Sequence, residues 1–412
     1  MLTLARGLHG GRSILLLSLA SLQCIATLLK SHIPSERSMK SPLSSWKWFH
    51  FSQVIDHSKG PERGVFKQEY LMSDEFFNHA RPLIFVGISG VDLTKAPFFE
   101  VKHAARLAMA SVFSLELRYS GSTFPIKDFS TATLKRLFTN QQMVDDVAFF
   151  GAKLKAKYNG AKIVVFGCSR AGTIAALARQ RYPDIFLGAV VSSGAFKFKL
   201  VDEMYNQIVS QDLSKPSLGG SLECLDVVVQ AHADLARAMM DPQDRRGVEQ
   251  KLGFCEGVLE DVTNQVYATS DGSLLGMLVQ ENDPFCKHDY CNIDRVCGRL
   301  TRSGNESPLD KLADVYNTNV PLRPRTCRQK RADKLINLLK NETSSNVSRM
   351  SIFYICHSRG LFAECKEGSC PFYTGFNNWV DFWLMVCHKG FGLPREQVPN
   401  EAHCAWCHMP NQ

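Results

Sequence analysis

The sequence lacks long apolar runs beyond its N-terminal region, long runs of one charge, and any repeat of 20–50 residues. Only residues 13–29 are apolar enough to approach the length of a membrane span, so a multi-span membrane protein is excluded. The net charge of +8 is spread without a basic run longer than the group at 328–331. This pattern indicates a solvated surface rather than a nucleic-acid-binding one. The missing repeat excludes solenoids and propellers.

The composition that is present belongs to a globular protein. Of 412 residues, 45% are hydrophobic and 21% are charged, which excludes disordered, collagen-like and coiled-coil chains. The length fits two or three domains, or one large domain with insertions. Fourteen cysteines are many for a cytosolic enzyme of this size. Together with a secretory signal they predict a disulfide framework, whose pairing the sequence leaves open.

The N-terminus predicts entry into the secretory pathway. Arg6 and Arg12 precede the apolar run at 13–29, and Lys30 with polar residues follows it. We interpret residues 1–30 as a signal peptide, with an uncleaved signal-anchor as the alternative. Either way the body of the chain is luminal or extracellular, and no membrane span is expected after cleavage. Three glycosylation sequons agree with this interpretation, at Asn305, Asn341 and Asn346.

Buried strands alternate with helical patterns in the first half of the chain. Nearly unbroken apolar runs predict strands, and the segment at 133–158 predicts one long helix between two of them. Such alternation is typical of a mostly parallel sheet with helices on both faces. Beyond residue 206 the pattern becomes helical, which predicts an inserted lid. The predicted strands lie at 82–87, 111–119, 161–167 and 187–194.

The most specific motif is a strand that runs into Gly167-Cys-Ser169-Arg170-Ala-Gly172 and then into an alanine-rich helix. This pattern predicts a nucleophile elbow, which places Ser169 at the carboxyl edge of the sheet. The backbone N–H of Arg170 would then face a developing oxyanion. A serine nucleophile also needs a base and an orienting acid. Sequence order alone does not select among the downstream histidines, which are His357, His388, His403 and His408.

The chain resembles the prolyl carboxypeptidase and dipeptidyl peptidase II family of serine peptidases. The resemblance covers about residues 46–393, and the block around the elbow is its most specific part. Other matching stretches are FSQVIDH (51–57), LELRYSGSTFP (115–125), LKRLFTNQQMVDDVAFF (134–150), YNQIVSQDL (205–213), YICHSRGLFAECKEGSCPF (354–372) and CHKGFGL (387–393).

The resemblance implies an α/β-hydrolase domain that is interrupted by a helical lid. In this chain we expect the C-terminal strand region of that domain to be shortened. It implies removal of residues next to proline from peptide ends, in lysosomes, endosomes or outside the cell. The family's nucleophile falls on Ser169 and its catalytic histidine on His403. A peptide is the expected partner, no cofactor is implied, and a homodimer stays open. The implied domains are 1–30 signal peptide, 46–205 hydrolase, 206–375 lid and 376–412 C-terminal hydrolase part.

The sequence departs from the family where the catalytic acid should lie. The family carries its aspartate in an Asn-Gly-x-x-Asp-Pro-Trp stretch, and only residues 392–402 separate Phe391 from His403. That is too short for another strand and helix. Asp381 and Glu401 lie nearby but do not match the motif. Three explanations of the missing acid remain open: a spliced or mispredicted product, a true pseudoenzyme, and a peptidase that uses another acid. Two alternative functions also remain open, a non-catalytic binding homologue and an esterase or lipase.

Other groups of residues give weaker indications of a functional site. Cys404-Ala-Trp-Cys407-His408 has the spacing of haem attachment or zinc binding, but a disulfide or free terminal thiols fit better. Cys168 is a minor alternative nucleophile. Asp145 and Asp146 could suggest a metal, although a solvated or capping helix face is the better interpretation. We therefore expect no metal site.

Overall fold

The computed structural model describes residues 46–90, 99–196, 198–269, 274–275, 279, 282, 292–320, 322, 324–368, 370–375 and 379–399. The described residues divide into two compact units. The first unit contains the residues up to 196 together with Glu342–Arg359, and the second contains Phe198–Asn341 and the residues from Gly360 onward. Within the described ranges, no helix has the length and apolar character that a bilayer crossing needs. The predicted signal peptide at 1–30 lies outside these ranges.

A six-stranded sheet forms the centre of the first unit. Its order is β1-β2-β4-β3-β5-β6, with antiparallel pairing from β1 to β4 and parallel pairing from β4 to β6. Helices cover both sides of the sheet, and the predicted fold class is confirmed. The strands are β1 (Lys47–Val54), β2 (Val65–Ser73), β3 (Leu83–Ser89), β4 (Ser111–Glu116), β5 (Lys162–Cys168) and β6 (Phe186–Ser192).

Burial along the strands explains this arrangement. Every residue of β4 is buried, and β3 is buried at all but its first residue, as expected for central strands covered on both faces. β1 is exposed along its first half because it is an edge strand. β4 ends at Glu116, earlier than the predicted 119, because the chain turns at Tyr119, whose φ is 57°.

The helices follow the strands in chain order. They are α1 (Phe99–Ala108), α2 (Thr131–Leu137), α3 (Asn140–Lys157), α4 (Arg170–Arg181), α5 (Tyr205–Leu213), α6 (Leu222–Ala238), α7 (Pro242–Leu252), α8 (Val262–Thr269), α9 (Ile293–Leu300), α10 (Pro308–Asn319), α11 (Ala332–Lys340), α12 (Val347–Tyr354) and α13 (Trp379–Phe391). Residues Ile355–Arg359 extend α12 as a π-helical turn.

The long helix predicted at 133–158 is two helices, so that prediction is wrong in detail. The break follows α2, where Phe138 leaves helical geometry. Thr139 then begins α3 by accepting a hydrogen bond from the Gln142 N–H with its side chain. A threonine in this role restarts a helix because it satisfies a backbone N–H that has no partner within the helix.

A buried ion pair joins the sheet to α3. Arg118 and Asp146 are both fully buried, and Arg118 Nε donates to Asp146 Oδ2 at 2.6 Å. Arg118 also donates to the backbone carbonyls of Val54 and Ile55, each at 3.0 Å, and of Leu137 at 3.2 Å. One guanidinium therefore fixes the end of β1, the end of α2 and the middle of α3.

Two further side chains complete this network. Gln142 Oε1 accepts from Arg118 Nη1 at 3.0 Å, and His57 Nε2 lies 2.8 Å from Asp146 Oδ1. The interpretation of Asp145 and Asp146 as a solvated or capping face is therefore wrong for Asp146. Asp145 lies on the other side of the helix surface, where its carboxylate accepts from the Tyr182 hydroxyl. Sequence alone could not separate the two neighbours because their partners are remote in the chain.

The second unit is built from helices around its own apolar core. Helices α6, α9 and α10 bury Val228, Leu235, Val296 and Leu312 against one another. A short parallel pair, β7 (Val201–Asp202) and β8 (Phe362–Ala363), lies in the same unit. Among the described residues, no strand after β6 joins the six-stranded sheet.

Disulfide bonds occur in both units, as the cysteine content predicts. In the second unit the pairs are Cys224–Cys297, Cys255–Cys327 and Cys365–Cys370. The first two close loops of more than 70 residues, so they restrict the unfolded chain strongly. Cys168, Cys356 and Cys387 are disulfide-bonded as well.

The predicted domain boundaries at 205, 206, 375 and 376 stay a prediction. The structural finding is that Glu342–Arg359 belongs to the first unit, although this segment lies within the range assigned to the lid. It contains α12 and the π-helical turn.

We expect Asp146→Asn to lower the free energy of unfolding by about 3–5 kcal/mol, because it leaves the Arg118 guanidinium buried without its anion. Urea unfolding followed by tryptophan fluorescence measures the change. Asp184→Asn, at an exposed carboxylate, is the matched control and should shift stability by less than about 0.5 kcal/mol. Equal midpoints for the Asp146 variant and the wild type would show that the pair is dispensable.

Candidate active site

Ser169 lies on the turn between β5 and α4, as the elbow motif predicts. Its backbone has φ 53° and ψ −125°, a conformation that non-glycine residues rarely adopt. The Ser169 N–H donates to the Ser192 carbonyl at 2.9 Å, and the Ser169 carbonyl accepts from the Thr173 N–H at 3.0 Å. These bonds to β6 and α4 hold the strained residue in place. Its side chain therefore stands at the carboxyl edge of the parallel part of the sheet.

Two glycines allow the helix to begin so close to the strand. A Cβ added to Gly167 would lie 2.1 Å from the Ala171 carbonyl oxygen, and one on Gly172 would lie 2.8 Å from the Ser192 oxygen. Both contacts are with backbone atoms, which cannot move aside without opening the turn. Ala171, at the position where the elbow usually has its second glycine, is buried without such a conflict. The Gly-x-Ser-x-x-Gly spacing therefore fits this turn.

The Ser169 hydroxyl is partly exposed, and its Oγ forms no hydrogen bond with the part of the chain that the structure describes. Arg170 occupies the first position of α4, so its N–H has no carbonyl partner within the helix. A carbonyl carbon placed at Ser169 could thus meet an available oxygen nucleophile next to a helix N-terminus, which favours negative charge.

The Arg170 side chain joins two loops at this edge of the sheet and contacts two aromatic rings. Its Nη2 donates to the Gly90 carbonyl at 2.6 Å, just after β3, and to Ser120 Oγ at 2.9 Å, beyond β4. The guanidinium carbon lies 5.3 Å from the Phe138 ring centroid and 5.1 Å from that of Tyr354. Burial lowers the Arg170 pKa from its usual value, and Tyr354 partly opposes this effect.

The segment after α12 supports the ring that covers Arg170. The Tyr354 hydroxyl donates to Asn140 Oδ1 at 2.9 Å, and Asn140 Nδ2 donates to the Ser358 carbonyl at 3.1 Å. Burial raises the Tyr354 pKa, so the phenol stays protonated and keeps this hydrogen bond. Sequence reasoning missed the role of the Arg170 side chain and both rings. The only signal in the sequence was an arginine directly after Ser169, at the first position of the helix.

The predicted base, His403, lies outside the described residues, as do His408 and Glu401. His357 lies in the first unit, stacked on Phe353 with ring centroids 5.2 Å apart. Burial, with a smaller contribution from Lys135, lowers its pKa to about 4, so the ring is neutral at pH 7. His388 is an exposed residue of α13 in the second unit. Within the described part of the first unit, His357 forms no hydrogen bond with the Ser169 hydroxyl.

Two of the other candidate residues, Asp381 and Cys168, form structural contacts in the described chain. Asp381 is exposed and lies 3.5 Å from Arg395 Nη1, within the second unit. Cys168 is disulfide-bonded, so it offers no thiolate for the alternative nucleophile. The Cys404–His408 constellation lies outside the described residues. All three sequon asparagines are exposed, and the Asn346 side chain also accepts from the Ser348 N–H at the start of α12.

A mixed sheet with a serine on a strained strand-to-helix elbow defines an α/β-hydrolase. The family model described as serine carboxypeptidase S28 matches residues 53–402, and the chain belongs to this family of serine peptidases. The match ends one residue before His403, so it does not include that position.

Two relatives that match by sequence agree with this assignment. The mouse thymus-specific serine protease is 26% identical over 87% of this chain and 71% of its own length. The human lysosomal Pro-X carboxypeptidase is 27% identical over 50% of this chain and 46% of its own length. A prolyl endopeptidase structure aligns at a TM-score of 0.29 and 11% identity, over 39% of this chain and 23% of its own.

We expect Gly167→Ala to destabilise the protein by about 1–3 kcal/mol or more, because the added methyl group meets the Ala171 backbone. Thermal unfolding measures the shift. Gly188→Ala in the adjacent strand β6 is the matched control, since its added Cβ meets nothing within 4 Å. Similar melting temperatures for the two variants would contradict the close strand–helix approach.

Proposed function

We propose that the chain is a serine exopeptidase that cleaves peptides next to proline, with Ser169 as nucleophile and His403 as general base. The observation that carries the proposal is the strained Ser169 backbone, fixed on an elbow that only Gly167 and Gly172 permit. Membership in a serine peptidase family supports a peptide substrate. The proline preference is supported by the name of one relative, the lysosomal Pro-X carboxypeptidase.

In this proposal the Ser169 hydroxyl oxygen attacks the scissile carbonyl carbon while its proton passes to His403. The carbonyl oxygen gains negative charge, which the Arg170 N–H and the N-terminus of α4 stabilise. The protonated histidine then gives its proton to the leaving amine, and an acyl-enzyme forms at Ser169. Water then attacks the acyl-enzyme in the same way, with His403 as the base, which releases the acid product and restores the Ser169 hydroxyl.

The orienting acid stays unassigned. Without an acid, a triad of this kind loses about 10⁴-fold in turnover, while binding and the oxyanion site persist. We therefore propose an enzyme that reacts slowly unless another carboxylate takes this role.

A non-catalytic peptide-binding homologue is the second candidate. The observation that favours it lies in the sequence, where only residues 392–402 separate Phe391 from His403. This length leaves no room for the acid-bearing stretch that the family has at this place. The family match to peptidases gives an esterase no comparable support.

We also propose that the protein works in the secretory pathway, in lysosomes or endosomes or after secretion. Disulfide bonds in both units favour an oxidising compartment. The name of one relative points the same way, since that carboxypeptidase is called lysosomal.

Fluorophosphonate labelling of the secreted protein tests the nucleophile. We expect the wild type to be labelled at Ser169, because the probe requires an activated serine, and Ser169→Ala to lose the label. The measurement should be made at acidic and neutral pH, since the compartment sets the working pH. Ser217→Ala, at an exposed serine of the second unit, is the control and should keep full labelling. Folded wild-type protein that remains unlabelled at both pH values would support the binding homologue instead.

Treatment with peptide-N-glycosidase tests the route through the secretory pathway. We expect the secreted protein to lose mass, because Asn305, Asn341 and Asn346 are exposed and accessible to glycosylation. Each replacement of one of these asparagines by glutamine should reduce the mass that the enzyme removes by the mass of one glycan. A secreted wild type whose mass the enzyme leaves unchanged would contradict glycosylation at these sites.

A further inference from the structure

The Arg170 guanidinium is a partly buried cation that has no anionic partner among the described residues. No carboxylate among the described residues forms an ion pair with it. Tyr354 is the titratable group whose electrostatic interaction with Arg170 raises the arginine pKa, against the effect of burial. Its two hydrogen bonds both use Nη2, so the N–H groups on Nε and Nη1 have no acceptor within the described chain.

This arrangement is costly without a ligand. Arginine stays protonated in proteins, so burial cannot remove the charge. A buried charge is ordinarily paired, since its lost hydration must be replaced. The Phe138 and Tyr354 rings on the guanidinium offset part of this cost through cation–π attraction. They also leave its edges as the only places where hydrogen bonds can form.

The position of this cation relates it to the peptide site. Arg170 follows Ser169 directly in the chain, and its Nη2 hydrogen bonds tie it to Gly90 and Ser120 at the same edge of the sheet. A peptide held with a carbonyl at Ser169 would bring its neighbouring groups to this edge. The free guanidinium donors match a carboxylate, which accepts two such bonds at once.

We propose that the Arg170 side chain binds a carboxylate of the peptide substrate and so selects peptides that carry one beside the scissile bond. This inference rests on the proposed function, because it takes Ser169 as the place where the peptide binds. Two sources offer the same chemistry: the terminal carboxylate of a short peptide, and the side chain of an acidic residue.

Peptide binding to the Ser169→Ala protein tests the inference without requiring turnover. Three matched peptides are compared by calorimetry: one with a free C-terminal carboxylate, its C-terminal amide, and an amide with a glutamate as its last residue. We expect the free acid to bind at least about tenfold more tightly than the plain amide, as a hydrogen bond to a charged group provides. If only the glutamate amide gains affinity, the acidic side chain is the source.

Substitution of the cation provides the decisive comparison. Arg170→Met, made in the Ser169→Ala background, should bind acid and amide peptides alike, while Arg170→Lys should keep part of the preference. Arg181→Met, at an exposed arginine in the last turn of the same helix, is the control and should keep all of it. Equal binding of all three peptides to the Arg170 protein, no binding of any, or a preference that survives Arg170→Met would overturn the inference.

Because Arg170 also holds Gly90 and Ser120, the methionine variant could fail to fold. In that case, phenylglyoxal modification of Arg170 decides the question in the Ser169→Ala protein. Protection by the acid or glutamate peptide but not by the plain amide supports the carboxylate site, and equal modification with all three overturns it. These results are separable from fluorophosphonate labelling. The wild type could remain unlabelled while the Ser169→Ala protein still binds the carboxylate peptides more tightly. That result would contradict the peptidase proposal and keep Arg170 as a binding residue.

Discussion

The buried ion pair between Arg118 and Asp146 is the interaction on which the first unit most depends. It fixes two positions that then shape the site. Ser120 lies two residues beyond Arg118, and Phe138 directly follows Leu137, whose carbonyl accepts from Arg118. Both residues contact the Arg170 guanidinium. An ion pair far from Ser169 in the chain thus determines the surroundings of the residue next to the nucleophile, and its loss would disturb fold and site together.

The two arginines of this unit show opposite solutions to burial. Arg118 uses all of its nitrogens on a carboxylate, an amide oxygen and backbone carbonyls, so its charge serves the fold. Arg170 is covered by aromatic rings, and its hydrogen bonds to described residues all use Nη2. A protein that needed Arg170 only for stability would gain by pairing it, since buried unpaired charge destabilises the folded state. The difference is consistent with a cation kept for a ligand.

Local patterns made the sheet and the elbow predictable. The apolar runs of β3 to β6 and the glycines around Ser169 are local in sequence, and their physical cause is local too: burial of a strand and the close start of a helix. The role of Asp146 was not predictable, because its partner Arg118 is brought to it by the sheet. The cage around Arg170 joins Phe138 and Tyr354, which no periodicity connects. The break before α3 was missed because one threonine side chain outweighed a continuous helical pattern.

The late position of Tyr354 in the chain has a consequence for synthesis. Ser169 and Arg170 are made early, whereas the ring that covers Arg170 belongs to a segment that returns to the first unit after most of the second has been made. At about 5–20 residues per second, roughly 10–40 s separate the two. During that interval the cation is open on one side, and the elbow lacks its final neighbour. A nascent chain would therefore carry an unfinished site until the segment that contains Tyr354 has been made, which delays any reaction at Ser169 until then.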